Sequence, residues 1–286
     1  MTARRVPAEA LVLGAVVSVQ FGAALAKTIF DEAGPAGTVF LRTVFAAVVL
    51  FALWRPALRG YTREQWRVAA GFGLALGTMN LFFYEAIDRI PLGAAVTFEF
   101  VGPLAVAVIG AKRGAALVWA LLAGVGVVTL AFPGETSLDA LGVALALLAG
   151  GCWAAYILMS ARAGRVFEEG ATGLVLAIVF SSVLLLPIGI ADGGDALLDP
   201  QVLALGAGVA MLSSAIPYSL EFEALRRLPE HIFGVLLSLE PAFAALAGFM
   251  VLGQELSARE AIGIGLVVLA SAGAAREARY PPVRDG

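Results

Sequence analysis

AIDRIP at residues 86–91 returns as ALRRLP at 224–229, and FVGPLAVAVIG at 100–110 returns as LEPAFAALAGF at 239–249, with Pro103 and Pro241 separated by the same 138 positions as Ala86 and Ala224. A repeat at that spacing divides the chain into two units, 1–134 and 135–286. Each half holds five long apolar stretches, and an odd number of membrane crossings turns the second copy upside down relative to the first. Inverted repeats of this kind are a building plan of secondary transporters. The sequence therefore predicts an all-α membrane protein of ten transmembrane helices in two inverted five-helix repeats.

The composition agrees with lipid as the main solvent. Mean hydropathy is +0.91, 60% of residues are hydrophobic and 14% are charged, against about 25% charged in soluble domains. Apolar runs of about 18–22 residues, long enough to cross a hydrocarbon core as helices, are expected near 10–30, 37–54, 66–87, 92–111, 115–132, 139–160, 171–191, 201–224, 231–253 and 258–275. That leaves no room for a soluble domain. The first run, preceded by Arg4 and Arg5, imitates a cleavable signal peptide; its counterpart in the second half argues that it is a retained span.

The formal charge of −3 hides an asymmetry. Of the 19 basic residues, 15 fall in the two tails and the loops assigned to the same side as the N-terminus: Arg4, Arg5, Arg55, Arg59, Arg63, Arg67, Lys112, Arg113, Arg162, Arg165, Arg226, Arg227, Arg276, Arg279 and Arg284. The opposite loops carry acids such as Asp31, Glu32, Glu135, Asp192, Asp195 and Asp199. The positive-inside rule then puts both termini in the cytoplasm. Cys152, the single cysteine, can form no intrachain disulfide and reads as a packing residue.

Glycines such as Gly71, Gly73, Gly77, Gly124, Gly126, Gly263 and Gly265 read as close helix–helix contacts, because small residues hold bundles together where lipid removes the hydrophobic drive. Pro103, Pro217 and Pro241 fall inside spans. Each removes a backbone donor and frees the carbonyl four residues earlier, namely those of Glu99, Ser213 and Leu237. The prolines are candidate hinges in interrupted helices, with fixed kinks as the equal alternative.

An ionisable group inside the bilayer is costly and normally faces a cavity or a partner. Glu99, Glu240 and Glu221 are the candidates to carry a proton, since a carboxyl in a low-dielectric cavity exchanges protons at higher pH than one in water. A structural ion pair is the alternative for each. Glu85 with Arg89, and Glu223 with Arg226 and Arg227, read instead as edge pairs, and Glu255 as a loop or cap residue. Gln20, Lys27, Arg42, Asn80, Tyr84, Trp153, Tyr156 and Tyr218 supply what a small zwitterion needs: bases and amides for a carboxylate, and aromatics to close the pocket. Snorkelling of Lys27 and Arg42 and plain packing of the aromatics remain open.

Catalytic and cofactor motifs are missing. His231 is the only histidine and reads as a cap. HExxH and CxxC do not occur, so no metal, cofactor or enzymatic chemistry is expected.

The segments SVQFGAALAKTIF (18–30), FLRT (40–43), MNLFFY (79–84), IPLGAAVTFEFVGPLAVAV (90–108), GGCWAAYIL (150–158) and AIPYSLEFEALRRLPEHIFGVLLSLEPAFAAL (215–246) resemble the threonine/homoserine exporters of the drug/metabolite transporter superfamily, built from two EamA-type repeats. The resemblance implies a ten-helix, multi-pass protein of the bacterial inner membrane that exports small hydrophilic amino acids by proton antiport. On matched positions it points to Gln20, Lys27, Arg42, Asn80, Glu99, Trp153, Tyr156, Tyr218, Glu221 and Glu240. Two positions depart from the pattern: Gly253-Gln254-Glu255 replaces a Gly-Glu pair, and Phe21 stands where a small residue is expected beside Gln20. The expected partners are a small amino acid or related metabolite, protons and membrane lipids, with no nucleic acid; monomer and homodimer both remain open. Export of another metabolite or a cationic compound is the nearest alternative, and a receptor or scramblase a more distant one.

Overall fold

The computed structural model describes residues 6–57, 59–111, 114–131, 138–167, 170–225, 227–228 and 230–277. The described residues form helices and contain no strand. In chain order they are α1 (Ala8–Lys27), α2 (Phe30–Trp54), α3 (Arg63–Arg89), α4 (Leu92–Glu99), α5 (Val101–Ala111), α6 (Gly114–Ala131), α7 (Ala140–Val166), α8 (Gly170–Gly193), α9 (Pro200–Ala210), α10 (Ile216–Leu225), α11 (Glu230–Leu237), α12 (Glu240–Leu252) and α13 (Ala258–Glu277). A 3₁₀ turn, Gly194–Leu198, precedes α9, and a π-helical turn, Met211–Ala215, joins α9 to α10.

Six stretches among the described residues are long and apolar enough to cross a bilayer: Ala8–Lys27, Phe30–Trp54, Ala140–Val166, Ala171–Leu198, Pro200–Glu221 and Ile232–Leu252. Shorter apolar segments lie at Leu92–Val106 and Leu117–Thr129. Large apolar side chains point outward on many helices, among them Leu53, Ile109, Leu121, Val183, Phe249 and Leu269, all more than half exposed. In water such a surface would aggregate; against lipid it is the natural exterior.

Helix ends are closed by local polar chemistry. Thr62 and Gln65 form a reciprocal capping box at the start of α3, with Gln65 N donating to Thr62 Oγ1 at 3.2 Å and Thr62 N to Gln65 Oε1 at 2.8 Å. Asp139 accepts from Gly142 N at the start of α7, and Asp199 caps α9 with Pro200 in its first turn. The cap of α2 comes from elsewhere in the chain. Gly34 adopts φ 66°, a conformation that favours glycine, and beyond this kink Asp192 Oδ2 accepts from Ala36 N at 2.8 Å and Gly37 N at 3.2 Å. The end of α8 is thereby pinned to the start of the main run of α2.

The prolines fall where the sequence argument put them, with different consequences. The fourth apolar run breaks at Phe100, between α4 and α5, and the ninth breaks at Ser238 and Leu239, between α11 and α12. The last residues before the breaks, Glu99 and Leu237, are the ones whose carbonyls Pro103 and Pro241 free, and they lie 138 positions apart. Gly150 of α7 presses on the first break: a Cβ there would collide with the Glu99 carbonyl, and one on Gly102 would collide with the Gly150 backbone. Gly73, Gly77 and Gly126 also sit in close helix contacts, whereas Gly124 and Gly265 face open space.

Candidate functional site

Arg42 is the buried cation around which the polar groups of the interior collect. It lies in the middle of α2 and is 7% exposed. Its Nη2 donates to the carbonyl of Ser213 at 3.0 Å, its Nε to Ser214 Oγ at 3.2 Å and its Nη1 to Tyr84 OH at 3.4 Å. Its Cζ also stands 5.6 Å from the centre of the Tyr84 ring. Ser213 and Ser214 belong to the π-helical turn that precedes Pro217. The proline has no N–H to offer Ser213, so the guanidinium takes that carbonyl.

Glu99 ends α4 and is 7% exposed; Glu240 begins α12 and is 8% exposed. The two acids do not occupy equivalent positions of the repeat: one closes the half-helix before its break and the other opens the half-helix after it. Electrostatic interactions link Glu99 to Arg42, Glu240 to both Glu99 and Glu221, and Tyr218 to Arg42, Tyr84 and Glu221. Among the described residues no carboxylate stands within 4.0 Å of Arg42. Its charge is answered by hydroxyls and a carbonyl at contact distance, with Glu99 farther off. A ligand carboxylate could therefore approach the guanidinium without displacing a protein ion pair.

Other expected residues divide between the cluster and its surroundings. Gln20 of α1, 2% exposed, donates from Nε2 to Glu240 Oε2 at 3.5 Å. Trp153 stacks edge-to-face on Phe100, at the α4/α5 break, with centroids 5.4 Å apart. Tyr156 packs on Phe72 at 5.1 Å and interacts with Tyr218 and Glu221. Asn80 is buried and donates to the Leu76 carbonyl one turn back on its own helix, at 2.8 Å. Lys27 stands apart: its ammonium donates to the carbonyls of Ile87 and Asp88, in the last turn of α3. Such a contact suits a cation at a helix C-terminus. Glu85 and Arg89 form the expected surface pair at 2.7 Å, and Glu223 pairs with Arg227.

Several contributors carried no clear signal in the sequence. Ser214 and the Ser213 carbonyl hold Arg42; only the i−4 relation to Pro217 pointed at Ser213. Gln254, one of the positions that depart from the family pattern, accepts from Leu92 N at 3.0 Å and so caps α4. Phe21 packs, half-buried, against the largest apolar cluster.

Comparison with known proteins adds the decisive observation. The chain is 40% identical to the threonine/homoserine exporter RhtA of Salmonella typhimurium over 95% of this chain and 92% of that protein. It is 41% identical to the protein of the same name from Escherichia coli K12 over 92% and 89%. The model of the EamA-like transporter family matches residues 140–276. This chain belongs to the EamA-like transporter family. As an EamA-family chain it is a multi-pass membrane protein, and its relatives are named as exporters rather than enzymes. A crystal structure 20% identical in sequence superposes on it with a TM-score of 0.66, over 95% of this chain and 97% of the other, which shows the fold. Within this EamA-family fold, the Arg42 cluster sits where α2, α3 and the π-helical turn converge on the broken helices.

Proposed function

We propose that this protein exports threonine, homoserine and closely related small amino acids from the cytoplasm across the inner membrane, by proton antiport. The observation that carries the reading is identity of about 40% with the threonine/homoserine exporters along nearly their whole length. The interior chemistry supports it. Arg42, held by Ser213, Ser214 and Tyr84, offers two-point recognition to a carboxylate. Glu99, Glu240 and Glu221 offer negative charge to an ammonium and a place for the coupling proton. Gln20, Asn80, Trp153, Tyr156 and Tyr218 complete the surroundings, and Lys27 acts at the rim.

In this reading ten crossings form two inverted repeats, 1–134 and 135–286, with both termini cytoplasmic. Support comes from the 138-residue spacing of the two helix breaks and from the helix pairs in contact. Packing of α3 on α7 has its counterpart in α10 on α1, packing of α4 on α7 in α11 on α1, and packing of α5 on α7 in α12 on α1. Pairs α2 with α8 and α6 with α13 each map onto themselves. The breaks at Pro103 and Pro241, with the π-helical turn at Pro217, serve as hinges for alternating access.

Cells overproducing the protein test the proposal: they should tolerate added homoserine and threonine and release both faster than control cells. Unchanged release of both amino acids, with the protein present in the membrane, would refute it.

A further inference from the structure

Gln20 places both atoms of its amide in the buried seam between α1 and α12, and only one of them has a partner. Nε2 reaches Glu240 Oε2 at 3.5 Å, while Oε1, shielded from solvent, has no hydrogen-bond partner. A buried acceptor left unpaired bears its desolvation penalty without compensation, so each one calls for an explanation. The ionisable groups that act on Glu240 are Glu99 of α4 and Glu221 of α10, both acids, and no cation among the described residues pairs with it.

We propose that Gln20 is a positioning residue that exchanges donor for acceptor when Glu240 takes up a proton. An ionised carboxylate only accepts, and Nε2 serves it. A protonated carboxyl carries an O–H that needs an acceptor, and a half-turn of the amide brings Oε1 to the place Nε2 held. The proton comes from water and stays on a Glu240 oxygen; no other bond is made or broken. The link between α1 and α12 thus persists in both states while the rest of the amide changes character. Helix α1 carries the consequence further. On its opposite side Ser18 Oγ donates to the Leu212 carbonyl at 2.6 Å, and Gly22 lies against Ser213. That π-helical turn is the segment whose carbonyl and hydroxyl hold Arg42. A change at Glu240 therefore has a route of contacts, through one helix, to the guanidinium.

The inference rests on the reading of Glu240 as a proton site, and its test needs no cargo. Infrared difference spectra of the purified, full-length protein in lipid discs, recorded between acidic and alkaline buffer, report protonated carboxyl groups directly. A carboxyl C=O band absent from Glu240→Gln is expected, together with side-chain amide bands absent from Gln20→Leu. In Gln20→Leu and Gln20→Met the Glu240 band should move to higher wavenumber, as a carboxyl loses its hydrogen-bond acceptor. Two variants guard against a folding defect in either one. A Glu240 band that stays in place in both, or no Glu240 band at all, would overturn the proposal. Failure of threonine export would leave these spectra, and the inference, untouched.

Discussion

The guanidinium of Arg42 donates to the carbonyl of Ser213 at 3.0 Å, and that carbonyl is the one Pro217, four residues on, leaves without an N–H. A proline, a π-helical turn and a buried arginine form one unit. The proline frees the carbonyl, the turn aims it inward, and the arginine is fixed by it with its charge unspent on a carboxylate.

Replacement of Arg42 by lysine should reduce threonine efflux at least about tenfold, because a single ammonium cannot hold Ser213, Ser214 and Tyr84 together and still present a fork to a carboxylate. Pro217→Ala returns an N–H that competes for the Ser213 carbonyl, and a loss of about threefold is expected, the scale of one hydrogen bond. Initial rates in proteoliposomes, at matched protein content, measure both. Wild-type rates for Arg42→Lys would remove the guanidinium from the substrate site.

Glu99→Gln and Glu240→Gln keep the shape of the side chains and remove their titration. Each should lose efflux driven by an imposed pH gradient more severely than it loses exchange of labelled for unlabelled threonine. Full gradient-driven transport in both single variants and in the double variant would show that the coupling proton binds elsewhere.

The Asp192 cap on α2 gives a stability prediction independent of cargo. Asp192→Ala should cost about 1 kcal/mol and lower the apparent Tm in detergent. Gly34→Ala should cost more, since the residue has φ 66° and its new methyl would meet the Asp192 carboxylate. The double variant should cost less than the two losses added, because both changes remove the same contact.

Which of these features the sequence disclosed follows from their physical range. Helix breaks at Phe100 and at Ser238–Leu239 were legible, because proline acts on a carbonyl a fixed four residues away, and so was the Glu85–Arg89 pair one turn apart. The spans were legible from apolar length, although six among the described residues meet the full length and hydropathy criteria against ten expected. The fourth run is apolar across its break at Phe100 but, at Leu92–Val106, too short to count, whereas the ninth, Ile232–Leu252, is long enough despite its break. Contacts between remote helices left no local trace. Lys27 reads as a pocket base from its position near the end of α1, yet it binds carbonyls of α3, 60 residues away. Gln254 and Asp192 look like loop residues until their caps on α4 and α2 are seen. Ser214 joined the Arg42 cluster only through the extra residue of the π-helical turn.

The packing of α7 on the α4/α5 break supplies a contrast between adjacent glycines. Gly150→Val should lower the apparent Tm and abolish transport, since its Cβ would overlap the Glu99 carbonyl and an overpacked contact costs about 1–3 kcal/mol. Gly151→Val should be tolerated, because nothing lies within 4 Å of its Cβ position. Thermal unfolding of the two variants side by side decides the point; equal losses would mean that α7 does not seat on the break as described.

The most direct test of the central claim is efflux from proteoliposomes containing only this protein, under an imposed pH gradient, with threonine, homoserine and valine loaded at equal concentration. Valine matches threonine in size and lacks the hydroxyl, and a site built on hydrogen bonds rejects such an analogue sharply. Threonine and homoserine should leave faster than valine, faster with the gradient than without it, and more slowly in Asn80→Ala. Valine or a lipophilic cation leaving as fast as threonine, or rates indifferent to the gradient, would contradict the account.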